Sequence, residues 1–489
     1  MRRLVLALPI VAGATAYANV AANGFVLDDV HVILENPAAR RLASPLRLLT
    51  PIVTPGGAFY RPLGVGLFAV DHALFGCRPS GYHLLSALLH LVATFLVVAL
   101  GTRLATRAAG GLGGLIFAVH PVHTEAVTAI ANRSEVLATI FLAWALFVHA
   151  RPGRVGMART VALNALCFLA LLSKESAITL PLALAATSWL VRKDSPLLGA
   201  ARVAPAVLLY LALRHHALGS LVYDSPLGYF TEESVATRVL TVATLLPRYA
   251  LLLIFPHRLS ADYSAHAIPT VHGLTPLVIA GFAFGVAAAA AVVVARRRAP
   301  VVALGLALAL IALLPYLHFT TLGSVMAERF LYLPSVGFAI AVGAGGAHAA
   351  SRLPRPFLAW AGALIIASWF AIRTADRNRD WRDARTLWEA TVETTPDSAF
   401  AHANLALALL ADGEDRRAAD ELRRAIDLVP EHWLFRLELA RLHHSSGRHR
   451  EELDTLVEGY RGPDTAPQLI DPALAALEEM RSGPVDECR

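Results

Sequence analysis

Charge is the scarcest commodity in this sequence. Only 16% of its 489 residues are Asp, Glu, Lys or Arg, while 56% are hydrophobic and the mean hydropathy is +0.54. Water-soluble domains carry about one quarter charged residues, so most of this chain belongs in lipid. Cysteine is nearly missing too. Cys77, Cys167 and Cys488 are odd in number, far apart, and in no CxxC or His-paired spacing. Neither a disulfide framework nor a structural zinc site follows from such a set. RNP, helix-turn-helix and zinc-finger spacings are absent, so the net charge of +6 is not a nucleic-acid signal.

What is present is a succession of apolar runs. A membrane span needs roughly 20 mainly apolar residues to cross about 30 Å. Candidates are 4–22, 83–101, 108–120, 135–150, 159–173, 176–191, 199–214, 273–295, 300–316, 330–349 and 357–372. The first run has the basic front of a signal peptide, yet it extends from Leu4 to about Ala22, which favours an uncleaved span. Basic clusters set orientation. Arg2–Arg3, GTRLATR, RPGRVGMAR, VRKDS, ARRRAP and SRLPRP all fall on the cytoplasmic side if the chain starts inside and makes about eleven crossings. One condition is required: 239–255, which contains Pro247 and Arg248, must lie in the interface or re-enter rather than cross. The remaining polar motifs, FVLDDVHVILENP, FYRPLG, HPVHTEAVTAIANRSE, SKES, FPHRLSADYS and MAERFLYLP, then share the outer face. Ionisable residues beside membrane segments are costly and usually functional.

After Arg373 the composition turns charged and helical. Pro396, Pro430 and Pro463 recur at intervals of 34 and 33 residues. Leu405, Ala406, Ala418, Leu422, Ala425 and Pro430 occupy tetratricopeptide-repeat positions, and a weaker second copy has Leu439, Ala440, Gly447 and Leu456. WRDARTLWEATVETTP reads as a repeat helix ahead of them. An ordinary amphipathic helical tail is the plainer alternative. Stacked helix pairs would give a concave surface suited to protein segments. The expected architecture is therefore all-α: a polytopic membrane bundle over 1–373, a short α-solenoid over 374–465 and a tail over 466–489.

Several motifs could carry chemistry. Asp28 and Asp29 are adjacent, and neighbouring carboxylates repel, so one tends to hold its proton unless a cation intervenes. That suits a general base or a metal ligand; the plainer reading is a solvated turn acid or a helix N-cap. His120 and His123 are three apart, with Glu125, Arg133 and Glu135 following. The spacing is not HExxH, and Pro121 argues against both histidines on one regular helical turn. A polar pocket wall fits better, Arg133 pairing with a phosphate oxygen and the histidines donating to it; internal bundle contacts are the alternative. Tyr60 and Arg61 precede Pro62 at the mouth of the second span. Lys174–Glu175 and Glu328–Arg329 read as self-neutralising pairs at helix starts, although Arg329 could face a phosphate. Asp262–Tyr263 follows the Pro256 break.

Taken in order, FVLDDVHVILENP, FYRPLG, GYHLLSALLHL, FAVHPVHTEAVTAIANRSEVLA, LLSKESAITLPL, FPHRLSADYS and ERFLYLPSVGFAI, followed by the repeats, resemble the transmembrane and tetratricopeptide-repeat O-mannosyltransferases. That family is related to protein O-mannosyltransferases of the C-type glycosyltransferase fold. The resemblance runs from about residue 23 to 460. It implies a polyprenyl-phosphate sugar donor, with mannose as the sugar, and transfer to Ser or Thr hydroxyls of exported protein. It places the reaction centre at Asp28 and Asp29, one of which takes the acceptor proton while the hydroxyl attacks the anomeric carbon with inversion. On chemical grounds the departing phosphate falls to Arg133, His120 and His123. Glu125, Glu135, Tyr60, Arg61 and Arg329 complete the donor side. A carboxylate pair works with or without a divalent metal, so metal dependence is open. The chain differs from animal members in its short repeat array. Its Ala- and Arg-rich usage points to a bacterium, with the outer face periplasmic.

Two other classes compete. A transporter would place acids near mid-membrane and show inverted repeats, whereas here the acids gather at one face. A non-catalytic scaffold built around the repeats would survive loss of Asp28 and Asp29.

Overall fold

The computed structural model describes residues 4–40, 52–54, 57–221, 230, 233–264, 267–319, 322–355, 357–430, 432–448, 450–451 and 455. Two compact units emerge: residues 1–259 with 270–382, and residues 260–269 with 383–489. Leu456, Pro463, Cys488 and the 466–489 tail lie outside the described residues.

The first unit is helical apart from one short hairpin, β1 (Ile52–Thr54) against β2 (Gly57–Phe59). Its helices are α1 (Leu4–Ala16), α2 (Pro37–Arg40), α3 (Pro62–Phe75), α4 (Pro79–Leu104), α5 (Arg107–Ala118), α6 (Thr124–Thr128), α7 (Arg133–His149), α8 (Met157–Ser173), α9 (Leu180–Thr187), α10 (Pro196–Ala201), α11 (Ala204–Leu218), α12 (Val235–Ile254), α13 (Pro276–Arg298), α14 (Pro300–Leu313), α15 (Tyr332–Ala350) and α16 (Phe357–Asp380). Proline opens many of them at a first-turn position whose N–H needs no partner.

Among the described residues seven helices are long and apolar enough to cross a membrane: 5–22, 79–104, 130–149, 235–254, 276–298, 328–350 and 357–380. The protein is an integral, multi-pass membrane protein. The 235–254 helix, α12, is one of the seven, although the sequence reading had set that segment apart because of Pro247 and Arg248. At the proline α12 and α13 pack closely. Pro247 cannot donate to the Ala243 carbonyl, and Gly281 of α13 approaches that same carbonyl so closely that a Cβ would lie 2.1 Å from its oxygen. Several candidate spans whose apolar runs are short form short or broken helices: α5 has 12 residues, α11 has 15, and α9 has 8 before a π-helical turn over Ser188–Arg192.

Burial sorts the bundle into a core and a lipid-facing shell. α7 is buried almost all round and packs on α4 and α8, while α15 packs on α5 and α14. α13 instead exposes Ile279, Phe282, Val286 and Val294, and α16 exposes Leu364, Ile365 and Ile372, as lipid-facing helices do. Without a hydrophobic drive between helices in lipid, small residues permit close approach. A Cβ on Gly113 would sit 2.3 Å from the Ala339 carbonyl oxygen, and one on Gly343 2.3 Å from that of Ala109, so α5 and α15 meet backbone to backbone.

The second unit holds α17 (Ala384–Thr394), α18 (Ala399–Ala411), α19 (Asp415–Leu428) and α20 (Trp433–Ser445), each packed on its neighbour in sequence. Leu405, Ala406, Ala418, Leu422, Ala425, Leu439 and Ala440 are buried between them. Gly413 and Gly447, 34 residues apart, close α18 and α20 with φ of 78° and 69°, a left-handed conformation that glycine adopts without strain. The inserted segment 260–269 belongs to this unit: Ser264 and Ser398 each donate a hydroxyl hydrogen bond to Asp262 at 2.6 Å, and Ser260 meets Thr395 at 3.0 Å.

Candidate active site

The loop carrying Asp28 and Asp29 is fastened along its length. The Asn23 side chain donates to the Asn378 carbonyl at 2.8 Å, the Gly24 N–H donates to the Arg382 carbonyl at 2.8 Å, and His83 bonds the Gly24 carbonyl at 3.0 Å. Asn378 in turn donates to Ala16 and Asn19, so the end of α16 holds the chain leaving α1. Between these anchors and the aspartates, Leu27 adopts φ +53°, a conformation that a branched residue avoids and that only surrounding structure sustains.

The two aspartates part company at that kink. Asp29 is fully buried. Its Oδ1 accepts from the Ala131 N–H at 2.7 Å and its Oδ2 from the Val26 N–H at 3.2 Å, stitching the loop to the turn before α7. Burial pushes the Asp29 carboxyl up to about 7, against the backbone donors that favour its charged form and with repulsion from Asp28 adding to the rise. Asp28 is exposed and lies within electrostatic reach of Arg329.

Arg329 opens a string of paired charges. Glu125, buried on α6, accepts from the Arg329 guanidinium and, at 2.8 Å, from the Arg329 backbone N–H. Glu135, buried near the start of α7, is bonded by Lys174 and by the Tyr316 hydroxyl at 2.9 Å. Arg61 forks onto Glu175 with Nε at 3.0 Å and Nη2 at 2.6 Å. Burial opposes ionisation of Glu175, but Arg61 and Lys174 outweigh it and hold the carboxyl well below its usual range. Glu135 is within the field of both Arg329 and Arg61, so the three pairs form one network. Two of its cations are not sealed: the Arg329 and Arg61 side chains keep 21% and 18% exposure, while Lys174 is buried. A cation so placed can keep its glutamate and still meet an anion.

A small, largely apolar void is lined by Leu142 and Leu146 of α7, Thr179, Ala183 of α9, Leu308 of α14, and Leu333 and Val336 of α15. Leu142 follows Glu135 by seven residues, about 10 Å along the helix. Leu333 follows Arg329 by four, and Ala183 follows Lys174 by nine.

Not every candidate from sequence joins this group. Arg133 is completely buried, and its guanidinium is spent on Asp71, on the Ser86 hydroxyl at 3.0 Å and on the Tyr82 carbonyl at 2.8 Å. It ties α3 and α4 to the start of α7. His120 bonds the Leu253 carbonyl at 2.9 Å and accepts from the Val122 N–H. His123 bonds Ser335 at 2.8 Å and packs among His90, Phe117 and Tyr332. Burial, with His90 and His120 adding their repulsion, keeps the His123 imidazole well below the ordinary histidine range, hence uncharged. These side chains make the internal bundle contacts weighed as the alternative. Tyr60 is buried, its ring 6.1 Å from that of Tyr210.

Lys174, Glu175, Tyr316 and Asp71 had been passed over or read as self-neutralising. Lys174 and Glu175 do not pair with each other; each reaches a partner on another segment. One signal was available: Lys174 is one of only two lysines, with Lys193, among 43 Lys and Arg residues. Among the described residues no three His, Cys, Asp or Glu side chains converge as a metal-ligand set.

The family described as Protein O-mannosyl-transferase TMTC, DUF1736, matches over residues 224–288. The chain is 27% identical over 473 residues to Protein O-mannosyl-transferase TMTC3 of Homo sapiens, covering 88% of this chain and 52% of that protein. It is 27% identical to Protein O-mannosyl-transferase Tmtc1 of Drosophila melanogaster, with 85% and 60% covered. The chain thus spans little more than half the length of the curated relatives it matches. Solved structures overlay loosely: the Archaeoglobus fulgidus oligosaccharyltransferase in its apo form at a TM-score of 0.44 and 14% identity, covering 77% of this chain and 56% of that one, and ArnT from Cupriavidus metallidurans bound to undecaprenyl phosphate at 0.43 and 17%, covering 91% and 77%. Over most of its length the chain is therefore similar to these TMTC proteins, and residues 224–288 match the family description itself.

Proposed function

We propose that this protein is a membrane glycosyltransferase that moves mannose from a polyprenyl-phosphate donor to Ser or Thr hydroxyls of an exported protein on the non-cytoplasmic side. The observation that carries the reading is an exposed carboxylate, Asp28, in the field of Arg329, which belongs to one network with Lys174 and Arg61 inside an apolar helical bundle. A phosphate-headed lipid would meet these cations with its head while its tail stays among the surrounding lipid. The names of the relatives support the sugar and the hydroxyl acceptor.

The residues divide the work as follows. Asp28 takes the proton from the acceptor hydroxyl as its oxygen forms a bond to the anomeric carbon. The bond from that carbon to the phosphate oxygen breaks on the opposite face, so the anomer inverts, and the electron pair leaves with the polyprenyl phosphate. Arg329, with Lys174 and Arg61 behind it, meets the negative charge that accumulates there. Glu125, Glu135 and Glu175 hold the cations in place and keep the site near neutral when the donor has left. Asp29 and Arg133 are positioning residues: the first stitches the Asp28 loop to α7, the second fixes the start of α7. No step requires a divalent metal, and none of the assigned roles excludes one.

The test is transfer of labelled mannose from a polyprenyl-phosphate donor to a Ser/Thr-rich peptide by the full chain in membranes. Asp28→Asn lowers it by at least about a hundredfold while the protein still inserts and accumulates. Full transfer by that variant would remove the catalytic assignment, and intact partner binding without any glycan change in either form would favour a scaffold.

A further inference from the structure

The opposite end of α7 carries a second charged cluster for which the transfer reaction has no use. Three basic loops far apart in sequence, around Arg103, Arg151 and Arg192, converge there with Arg159 and Arg202. Five arginines thus lie within electrostatic reach of neighbours of the same sign. The acid among them, Asp194, is committed to Arg192 at 2.8 Å.

The arrangement is built rather than loose. Arg192 donates to the carbonyls of His149, Arg151 and Gly153 at 2.9, 2.5 and 3.0 Å, and Arg159 donates to those of Arg151 and Pro152 at 3.0 and 3.2 Å. The 151–153 turn is thereby pinned, and it presents Arg151 beside Arg103 on the ring of Phe147, their guanidinium carbons 5.9 and 3.7 Å from its centroid. Both arginines are exposed. Arg202 brings a buried Nη1 with no hydrogen-bond partner among the described residues. Like charges gathered this way are stabilised by an anion from outside, and guanidinium forks match phosphate oxygens.

Depth identifies the source of that anion. The 17 residues of α7 span about 25 Å, so this cluster lies nearly one hydrocarbon thickness from Glu135, at the level of lipid headgroups. Trp189, half exposed with Arg296 5.2 Å from its ring, sits on the π-helical turn that leads to Arg192, as interfacial aromatics do. We propose that Arg103, Arg151 and Arg202 form a binding site for a phosphate-bearing headgroup at the membrane face opposite the candidate active site.

The purified full chain in phosphatidylcholine nanodiscs, doped with phosphatidylglycerol, tests this by counting retained lipids in native mass spectrometry. The parent retains the anionic lipid preferentially, Arg103→Gln/Arg151→Gln loses at least about tenfold of that preference, and Arg103→Lys/Arg151→Lys keeps most of it. Thermal shifts with inorganic phosphate against chloride at matched ionic strength separate the sources. A shift in the parent that vanishes in the Gln variant means that the phosphate group alone is recognised, and its absence beside selective lipid retention assigns the site to a headgroup. Cysteine labelling verifies that topology is unchanged, and Arg151→Gln alone serves if the double variant fails to insert. Equal phosphatidylglycerol retention by parent and Gln variants of unchanged topology overturns the proposal.

Discussion

The two ends of α7 obey opposite electrostatic rules. At its start every cation described has an acid: Arg133 has Asp71, Lys174 has Glu135, Arg329 has Glu125 and Arg61 has Glu175. At its finish five arginines share one aspartate. The difference teaches what each end can do. A balanced site tolerates burial, because each charge is met inside the protein, and it can receive and release an anion without being left strongly charged. An unbalanced site depends on ions supplied by its surroundings.

The comparison can be broken most severely at the balanced end. Asp28→Asn should lower transfer by about 10²- to 10⁴-fold, the usual range for losing a general base, with membrane insertion unchanged; initial rates with labelled donor read this directly. Next comes the sealed pair. Asp71→Ala leaves Arg133 buried without its counter-charge and should cost about 3–5 kcal/mol in unfolding free energy, whereas Asp71→Leu/Arg133→Met should recover most of the loss. Equal stability of the single and double variants would show that the pair is not what holds α3 to α7.

A smaller effect concerns Asp29. Its folded-state value of about 7 lies above the usual carboxylate value, so between about pH 4 and 7 the native state binds a proton that the unfolded state has released. Stability from this group is therefore present at low pH and falls as pH rises to 7, by an amount of order a few kcal/mol. Asp29→Asn should flatten that part of the pH–stability curve relative to the parent; parallel curves would show that Asp29 is ionised throughout. The smallest effect sharpens the contrast from the other side. Arg103→Gln removes one of several like charges on an exposed side chain, and its unfolding free energy should change by no more than about 1 kcal/mol, against about 3–5 kcal/mol for Lys174→Met.

How much of this was legible beforehand varies with the kind of signal. Apolar runs and basic clusters revealed a membrane chain, because lipid imposes composition directly. The adjacent aspartates and the MAERFLYLP arginine were readable as candidates, since isolated charges beside spans stand out. Pairing was not readable. Lys174 and Glu175 are neighbours in sequence and look self-neutralising, yet the extended backbone at Lys174 (φ −157°, ψ 140°) accompanies separate partners: Glu135 from 39 residues away and Arg61 from 114. Arg133, His120 and His123 looked like site residues for the same reason that Glu125 did: they are polar in an apolar stretch. Only the fold separates a polar group facing the site from one bonded to a neighbouring helix. Pro247 and Arg248 make 239–255 read as a helix lying in or re-entering the interface, whereas 235–254 is long and apolar enough to cross, and Gly281 lets the next helix pack closely at the Ala243 carbonyl.

The piece 260–269 has a practical consequence for anyone dissecting the molecule. Because it folds with 383–489 rather than with the helices on either side of it, a stop codon after residue 382 would not yield a clean bundle. It would strand Asp262 with the Ser398 hydroxyl removed and Ser260 without Thr395. An activity lost in such a fragment would report a damaged loop as readily as a missing repeat. Supplying 383–489 as a separate polypeptide and asking whether it re-associates with the shortened chain is the cleaner experiment.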